Sequence, residues 1–374
     1  MKMFSKKNIF FLCILSILFV QCRQLHENHA QNIAIFTDYE ADDSVALALF
    51  LKHAKENTQK QNLLIGSLLS NQYRKQALVQ ELVTLFGFDP QCVHAGTGGI
   101  KEPFEEEGRN ILPAGVLNHF AQLDKVYLNN SDPAAHHDSA LKFHFTTMLE
   151  KAAPQSVDVL LLTNPIDFVR AFEHKKELLH KVKSIYMMGG WGPNQKLTFN
   201  WNLHVESVKE LLELMQYAKR EGMNTQLVLF SSHFFAREFN GYVNPVKFPE
   251  VIQAFDGNNH PIINHLRAMV KNWDDSMTVV KEHHNEQERG WRLAMVDRIG
   301  KDNIGRQFTP ADPATVIGYL YPQKFIIKST PTDLIIENEV VKTQENSSSN
   351  IFVVEKVDIE FFKQKLVALM QICN

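Results

Sequence analysis

The run Ile33-Ala34-Ile35-Phe36-Thr37 passes through Asp38-Tyr39-Glu40 into Ala41-Asp42-Asp43-Ser44-Val45-Ala46-Leu47, an apolar strand pattern followed at once by an Ala/Leu-rich helical one. The same order recurs along the chain. Strand-like runs and helical patterns alternate from Ile33 to Leu162 and resume over Ser184 to Leu214 and Gln226 to Phe230. This alternation predicts an α/β fold with an open, mostly parallel, Rossmann-like sheet flanked by helices. In such sheets ligands bind just outside the carboxyl ends of the strands, where Asp38, Asp42 and Asp43 share one turn. Three carboxylates so close repel one another until a cation neutralises them, and an all-oxygen donor set favours Ca²⁺ or Mg²⁺ over zinc. A plainer arrangement is also open, in which Asp38 caps the next helix and the Asp pair decorates its positive first turn.

The length, 374 residues, suggests two domains, yet no Pro/Gly/Ser linker or internal repeat divides the chain, and residues 32–374 read as one domain. Net charge is −3 and no long basic run occurs, so nucleic acid binding has no evident footprint. Residues 1–22 form an export leader: Lys2, Lys6 and Lys7 precede the apolar stretch Ile9 to Val20, too short to span a bilayer comfortably and suited to a secretory signal. Cys22 directly after it allows lipid attachment and membrane anchoring, whereas Gln21 favours simple cleavage. Either form is exported, as a periplasmic, membrane-anchored or secreted protein. Beyond the leader only Cys92 and Cys373 remain, without zinc or redox spacing. The polar stretch 344–350 reads as a hairpin tip between Leu334-Ile335-Ile336 and Ile351-Phe352-Val353-Val354, and Ile359 to Met370 as a closing amphipathic helix.

The opening turn resembles the D-x-D-P-G-x-D-D-x-x-A-L motif of the inosine-uridine preferring nucleoside hydrolases, the calcium-dependent N-ribohydrolases. Asp38, Asp42, Asp43, Ala46 and Leu47 fit it; Phe36 stands at its first Asp and Tyr39-Glu40 at its Pro-Gly. Further segments follow in the family's order. The run Leu63 to Ser70 ends at Asn71-Gln72, similar to the family's strand ending in Gly-Asn, and Val93-His94-Ala95-Gly96 resembles V-x-x-G. Val157 to Pro165 resembles the strand ending in T-G-P-L-T-N, with Thr163 as its first Thr. Met188-Gly189-Gly190 matches the M-G-G turn, Thr198-Phe199-Asn200 stands at E-F-N, and Ala311-Asp312-Pro313 at H-D-P.

The resemblance implies the nucleoside hydrolase fold and hydrolysis of the N-glycosidic bond of ribonucleosides to free base and ribose by a Ca²⁺-bound water. Asp38, Asp43, the Thr163 carbonyl and Asp312 would hold the metal, converging from three separate strands. Asp38 would also be the general base, and Asp42, Asn71, Asn194, Asn200 and Asp312 would contact the ribose. It further implies a small-molecule N-riboside partner and a homo-oligomer. Three departures stand out: Thr198 for the Glu that meets the 5′ end of the ribose, Ala311 for a His that assists the leaving base, and Asp167-Phe168 for the Thr-Asn of the T-G-P-L-T-N strand. His283 or His284 could donate the missing proton and Trp291 could stack on a base, although a His pair in a charged helix is commonly solvated surface. Two alternatives remain open: a non-catalytic exported nucleoside- or ribose-binding protein, and a metal-dependent phosphohydrolase using Asp38 as nucleophile.

Overall fold

The computed structural model describes residues 31–57, 61–69, 72–97, 139–192, 194–239, 243–279 and 308–372. Residues 1–22 with Cys22, Asn71, the His283/His284/Trp291 segment and Cys373 lie outside the described residues.

Among the described residues nine strands form one sheet: β1 (Gln31–Thr37), β2 (Gln61–Ser67), β3 (Val93–Ala95), β4 (Val157–Leu161), β5 (Val182–Gly189), β6 (Gln226–Ser231), β7 (Ile326–Glu337), β8 (Val340–Glu345) and β9 (Ile351–Val357). Their order is β3-β2-β1-β4-β5-β6-β9-β7-β8. The first seven in that order run parallel, and β7 then pairs antiparallel with both β9 and β8 at the edge. This is the doubly wound arrangement expected of the alternating pattern, and its direction of winding reverses between β1 and β4, the place where such sheets open a crevice for a ligand.

The helices are α1 (Ala41–Glu56), α2 (Gln72–Leu85), α3 (Ala140–Lys151), α4 (Ile166–Arg170), α5 (Phe199–Asn202), α6 (Val205–Arg220), α7 (Ser232–Glu238), α8 (Pro249–Asp256), α9 (Pro261–Val279), α10 (Ala311–Leu320), α11 (Pro322–Phe325) and α12 (Ile359–Met370). Strand alternation sorts them onto two faces. Ile33 and Ile35 of β1 enter one core with residues of α1, α2, α8, α9, α10 and α12, while Ala34 and Phe36 enter the other with α3, α4 and α6. A parallel strand with helices on both sides therefore reads as an unbroken apolar run, as β1 does.

The helix α10 lies fully buried from Ala311 to Gly318 and packs along α1. Gly318 permits this approach: a Cβ there would stand 2.4 Å from Cζ of Phe230 on β6. The Phe230 ring is itself stacked on Phe235 and Phe325 and has nowhere to go.

At the carboxyl end of the chain the structure differs from the sequence reading. Residues 344–350 do not tip a hairpin between 334–336 and 351–354. An additional strand, β8, pairs with β7 through a tight turn at Asn338-Glu339, whose φ values of 50° and 62° suit a two-residue hairpin. β9 then returns to pair with β6 and β7. The final helix is α12 over Ile359–Met370, capped by Asp358, which accepts from the Phe361 amide at 2.9 Å.

Candidate active site

Asp38 and Thr163 come to the crevice by strand register. Phe36 pairs with Leu161, and the Leu162 amide donates to the Phe36 carbonyl at 2.9 Å, so each of the two residues stands two positions beyond a matched pair on adjacent strands. Both are buried. Asp312 does not arrive from a third strand, contrary to the sequence reading; it sits in the first turn of α10, after Phe308, which makes only an isolated bridge to Val243. Burial of α10 against α1 carries Asp312 to the turn that holds Asp42 and Asp43.

The carboxylates of Asp42, Asp43 and Asp312 offer oxygens that all lie within 4.8 Å of one another. Asp38 is not one of these three, although its charge is felt at Asp312. The geometry therefore gathers Asp42 into the tight carboxylate group, the residue that the sequence resemblance assigns to the ribose. At such separations two unit charges repel by roughly 3–4 kcal/mol at an effective dielectric of about 20. Burial raises all three acids, and repulsion adds to it at two of them: burial and then Asp42 push Asp43 up to about 7, Asp42 rises through burial, and Asp312 stands well above the usual carboxylate range through burial and the charges of Asp43, Asp42 and Asp38.

Neighbouring hydroxyls and amides hold the group in place. Thr37 Oγ1 donates to Asp43 Oδ1, and the Glu40 amide donates to Asp43 Oδ2 at 3.0 Å. Thr309 Oγ1 donates to Asp42 Oδ2, across 267 residues of sequence. The N-cap of α1 is Glu40, not Asp38, and Asp43 serves as the acidic N3 partner that closes the first turn. Helix capping and a place in the carboxylate cluster are thus compatible in Asp43, whose Oδ2 is held by the cap and whose Oδ1 is held by Thr37. Two buried oxygens nearby, Asp312 Oδ1 and Thr163 Oγ1, have no hydrogen-bond partner among the described residues. A hard divalent cation fits this donor set, since it neutralises three clustered carboxylates and supplies the orphaned Asp312 oxygen with a partner.

The other expected residues divide. Asn200 is buried; its Nδ2 donates to the Leu162 carbonyl at 3.1 Å, and its own carbonyl accepts from Asn164 Nδ2 at 2.7 Å, which fixes it beside the end of β4. Asn164 is in turn held by Ser207 Oγ at 2.6 Å. Asn194 is exposed in the loop that closes with Gly192 and Lys196, and its Oδ1 accepts from the Lys196 amide at 3.2 Å, a turn role. Thr198 donates to the Gly190 carbonyl at 3.1 Å and lies 2.9 Å from Ser232 Oγ, so its hydroxyl braces the Gly-Gly turn. Gly189 has φ 148° and faces Trp201, where a Cβ would meet the indole at 2.5 Å.

Sequence reasoning passed over Thr37, Thr309 and Tyr39. Thr37 was the most accessible of them, a hydroxyl closing the strand one residue before the acidic turn. Asp167, read from sequence as a structural departure, is buried and accepts from the Thr97 amide at 2.8 Å, Thr97 Oγ1 at 2.9 Å and Ser139 Oγ at 2.6 Å, which joins β3, α3 and α4.

The raised acids set the pH dependence of the metal-free protein. Between the ordinary aspartate value near 4 and about 7 the folded state holds more protons than the unfolded one, so stability falls as pH rises through that window. Melting of chelator-treated protein is expected to drop from pH 4.5 to pH 7.5, and added calcium to remove most of the drop at the upper end. A melting temperature independent of calcium across the window would contradict the geometry.

No family model and no curated protein matches the sequence. Solved structures do. A plant nucleoside hydrolase, PpNRh1, superimposes with a TM-score of 0.61 at 12% identity, over 92% of this chain and 100% of that one. The purine-preferring ribonucleoside hydrolase from Gardnerella vaginalis gives 0.59 at 13%, over 92% and 100%. The type III effector XopQ, in complex with adenosine diphosphate ribose, gives 0.56 at 14%, over 98% of each chain. The fold is that of the nucleoside hydrolases.

Proposed function

We propose that this chain is an exported N-ribohydrolase that uses a divalent cation, calcium by its all-oxygen donors, to cleave the bond between ribose C1′ and a base nitrogen. The observation that carries the reading is the buried Asp42-Asp43-Asp312 cluster, with its orphaned Asp312 oxygen, at the reversal point of the sheet. Asp38, Asp43, Asp312, Thr163 and, by geometry, Asp42 are the residues that would hold the ion. Bound there, it lowers the pKa of a water and orients the ribose hydroxyls.

The protein's own groups do the rest. Asp38, at the end of β1 beside the cluster, takes the proton of the attacking water. Asp42 and Asn200 orient the ribose hydroxyls, and leaving such buried polar groups unpaired is what rejects sugars without them. As the C1′–N bond breaks, its electron pair passes to the base. Ala311 offers no proton to that nitrogen, so the reading favours substrates whose leaving group departs without an acid at this position. The residues of 1–22, with Cys22, support export in an anchored or cleaved form.

Three observations favour a second reading, capture of an N-riboside without turnover. Ala311 has no proton to give and the Thr198 hydroxyl is engaged with Gly190 and Ser232, while a similar structure, XopQ, holds adenosine diphosphate ribose. Incubation of the mature protein with a nucleoside panel, with and without chelator, separates the readings. Free ribose that disappears on chelation supports the hydrolase. Binding without ribose supports capture, and phosphate release from a phosphomonoester would instead revive the phosphohydrolase.

A further inference from the structure

Tyr39 lies inside the acidic turn, between Asp38 and Glu40, with φ 45°. A bulky side chain in the left-handed region is uncommon and costs the chain energy that its surroundings must offset. Those surroundings are specific. The Tyr39 amide donates to Thr37 Oγ1 at 3.0 Å, and Thr37 Oγ1 is the same hydroxyl that donates to Asp43. The ring is buried at 2% exposure, and its hydroxyl lies 2.8 Å from Nε2 of His265, a buried residue of α9 that is 226 positions away. His265 Nδ1 lies 3.6 Å from Oε1 of Glu81 on α2. A proton on Nδ1, the side that faces Glu81, leaves Nε2 to accept from the Tyr39 hydroxyl.

We infer that Tyr39 is a positioning residue for the cation site: its hydrogen bond to His265 holds the left-handed turn that aims Asp38 and Asp43, and ties that turn to α9 and, through Glu81, to α2. The inference rests on the cation reading proposed above. The acidic turn and α9 meet at this buried contact, and the half-exposed Glu81 of α2 stands behind it. Loosening it therefore acts on metal affinity more than on the fold, because the Tyr39 ring keeps its packing in the core whether or not its hydroxyl is bonded.

The test is calcium binding by titration calorimetry of the full mature chain, with the melting temperature of the chelated protein alongside. Tyr39→Phe keeps the ring and removes only the hydroxyl, and His265→Ala removes the acceptor. His265→Gln restores an acceptor near the Nε2 position. Tyr39→Phe and His265→Ala are each expected to weaken calcium by about tenfold, the double variant no further than either single one, and His265→Gln to recover most of the loss. Chelated Tyr39→Phe should melt close to chelated wild type. Calcium affinity unchanged in Tyr39→Phe, or losses that add in the double variant, would overturn the inference while leaving the cation site standing. A wild type that binds no calcium would overturn the cation reading itself, and the inference with it.

Discussion

Asp43→Ala is expected to lose calcium binding entirely and to melt well below the calcium-loaded wild type. Two effects combine. The carboxylate is one of three whose oxygens lie within 4.8 Å, so its removal leaves a cation with too few charged donors in a buried place. Bound ligand stabilises the native state by mass action, about 2.7 kcal/mol at a hundred times the dissociation constant, and the variant forfeits all of it. The same side chain accepts from the Glu40 amide in the first turn of α1, and loss of that hydrogen bond costs about 1 kcal/mol more. The two parts separate in experiment: in chelator the ligand contribution vanishes, and the lost cap hydrogen bond is offset by relief of the repulsion between Asp43 and its neighbours Asp42 and Asp312. A calcium-dependent melting shift as large in Asp43→Ala as in wild type would show that the ion, if any, sits elsewhere.

Asp38→Asn is expected to lower ribose release by at least about a hundredfold while ribose still binds measurably. The substitution keeps size and one oxygen and removes basicity. Asp38 lies outside the tightest carboxylate group, so calcium affinity should suffer less than in Asp43→Ala. Near-normal turnover of Asp38→Asn, with wild-type dependence on calcium, would transfer the base to another residue, and Asp42 would be first in line.

Much of this site was legible in the sequence because the parts that build it are local. β1, its acidic turn and the start of α1 are contiguous, and the apolar runs that end at Asp38 and Thr163 become neighbouring strands whose register sets the two residues side by side. What escaped is what depends on distant partners. The Thr309 contact to Asp42 spans 267 residues and the Tyr39 contact to His265 spans 226, and neither pair carries a local pattern. Asp312 has the composition of an Asp-Pro turn, but its place in the first turn of a helix follows from burial of α10 against α1 and β6, in which Gly318 has a part that no periodicity displays. The hairpin at Asn338-Glu339 was missed for a chemical reason: glutamate is not a residue that normally marks a positive φ. Asn194 shows the opposite failure, since its side chain closes a loop, a role common to asparagines wherever they follow a Gly-Pro.

On the proposed reading, cleavage of an N-riboside requires one cation in the Asp42-Asp43-Asp312 cluster, and a single titration can join its binding to turnover. Chelator-treated wild type, freed of chelator, is given calcium in fractions of an equivalent while free ribose is measured from the best nucleoside of the panel. Ribose release is expected to rise in proportion to added calcium and to break at one ion per chain, in step with calorimetric binding. Release that is undiminished by chelation, or a protein that takes up no calcium while still freeing ribose, would contradict the requirement.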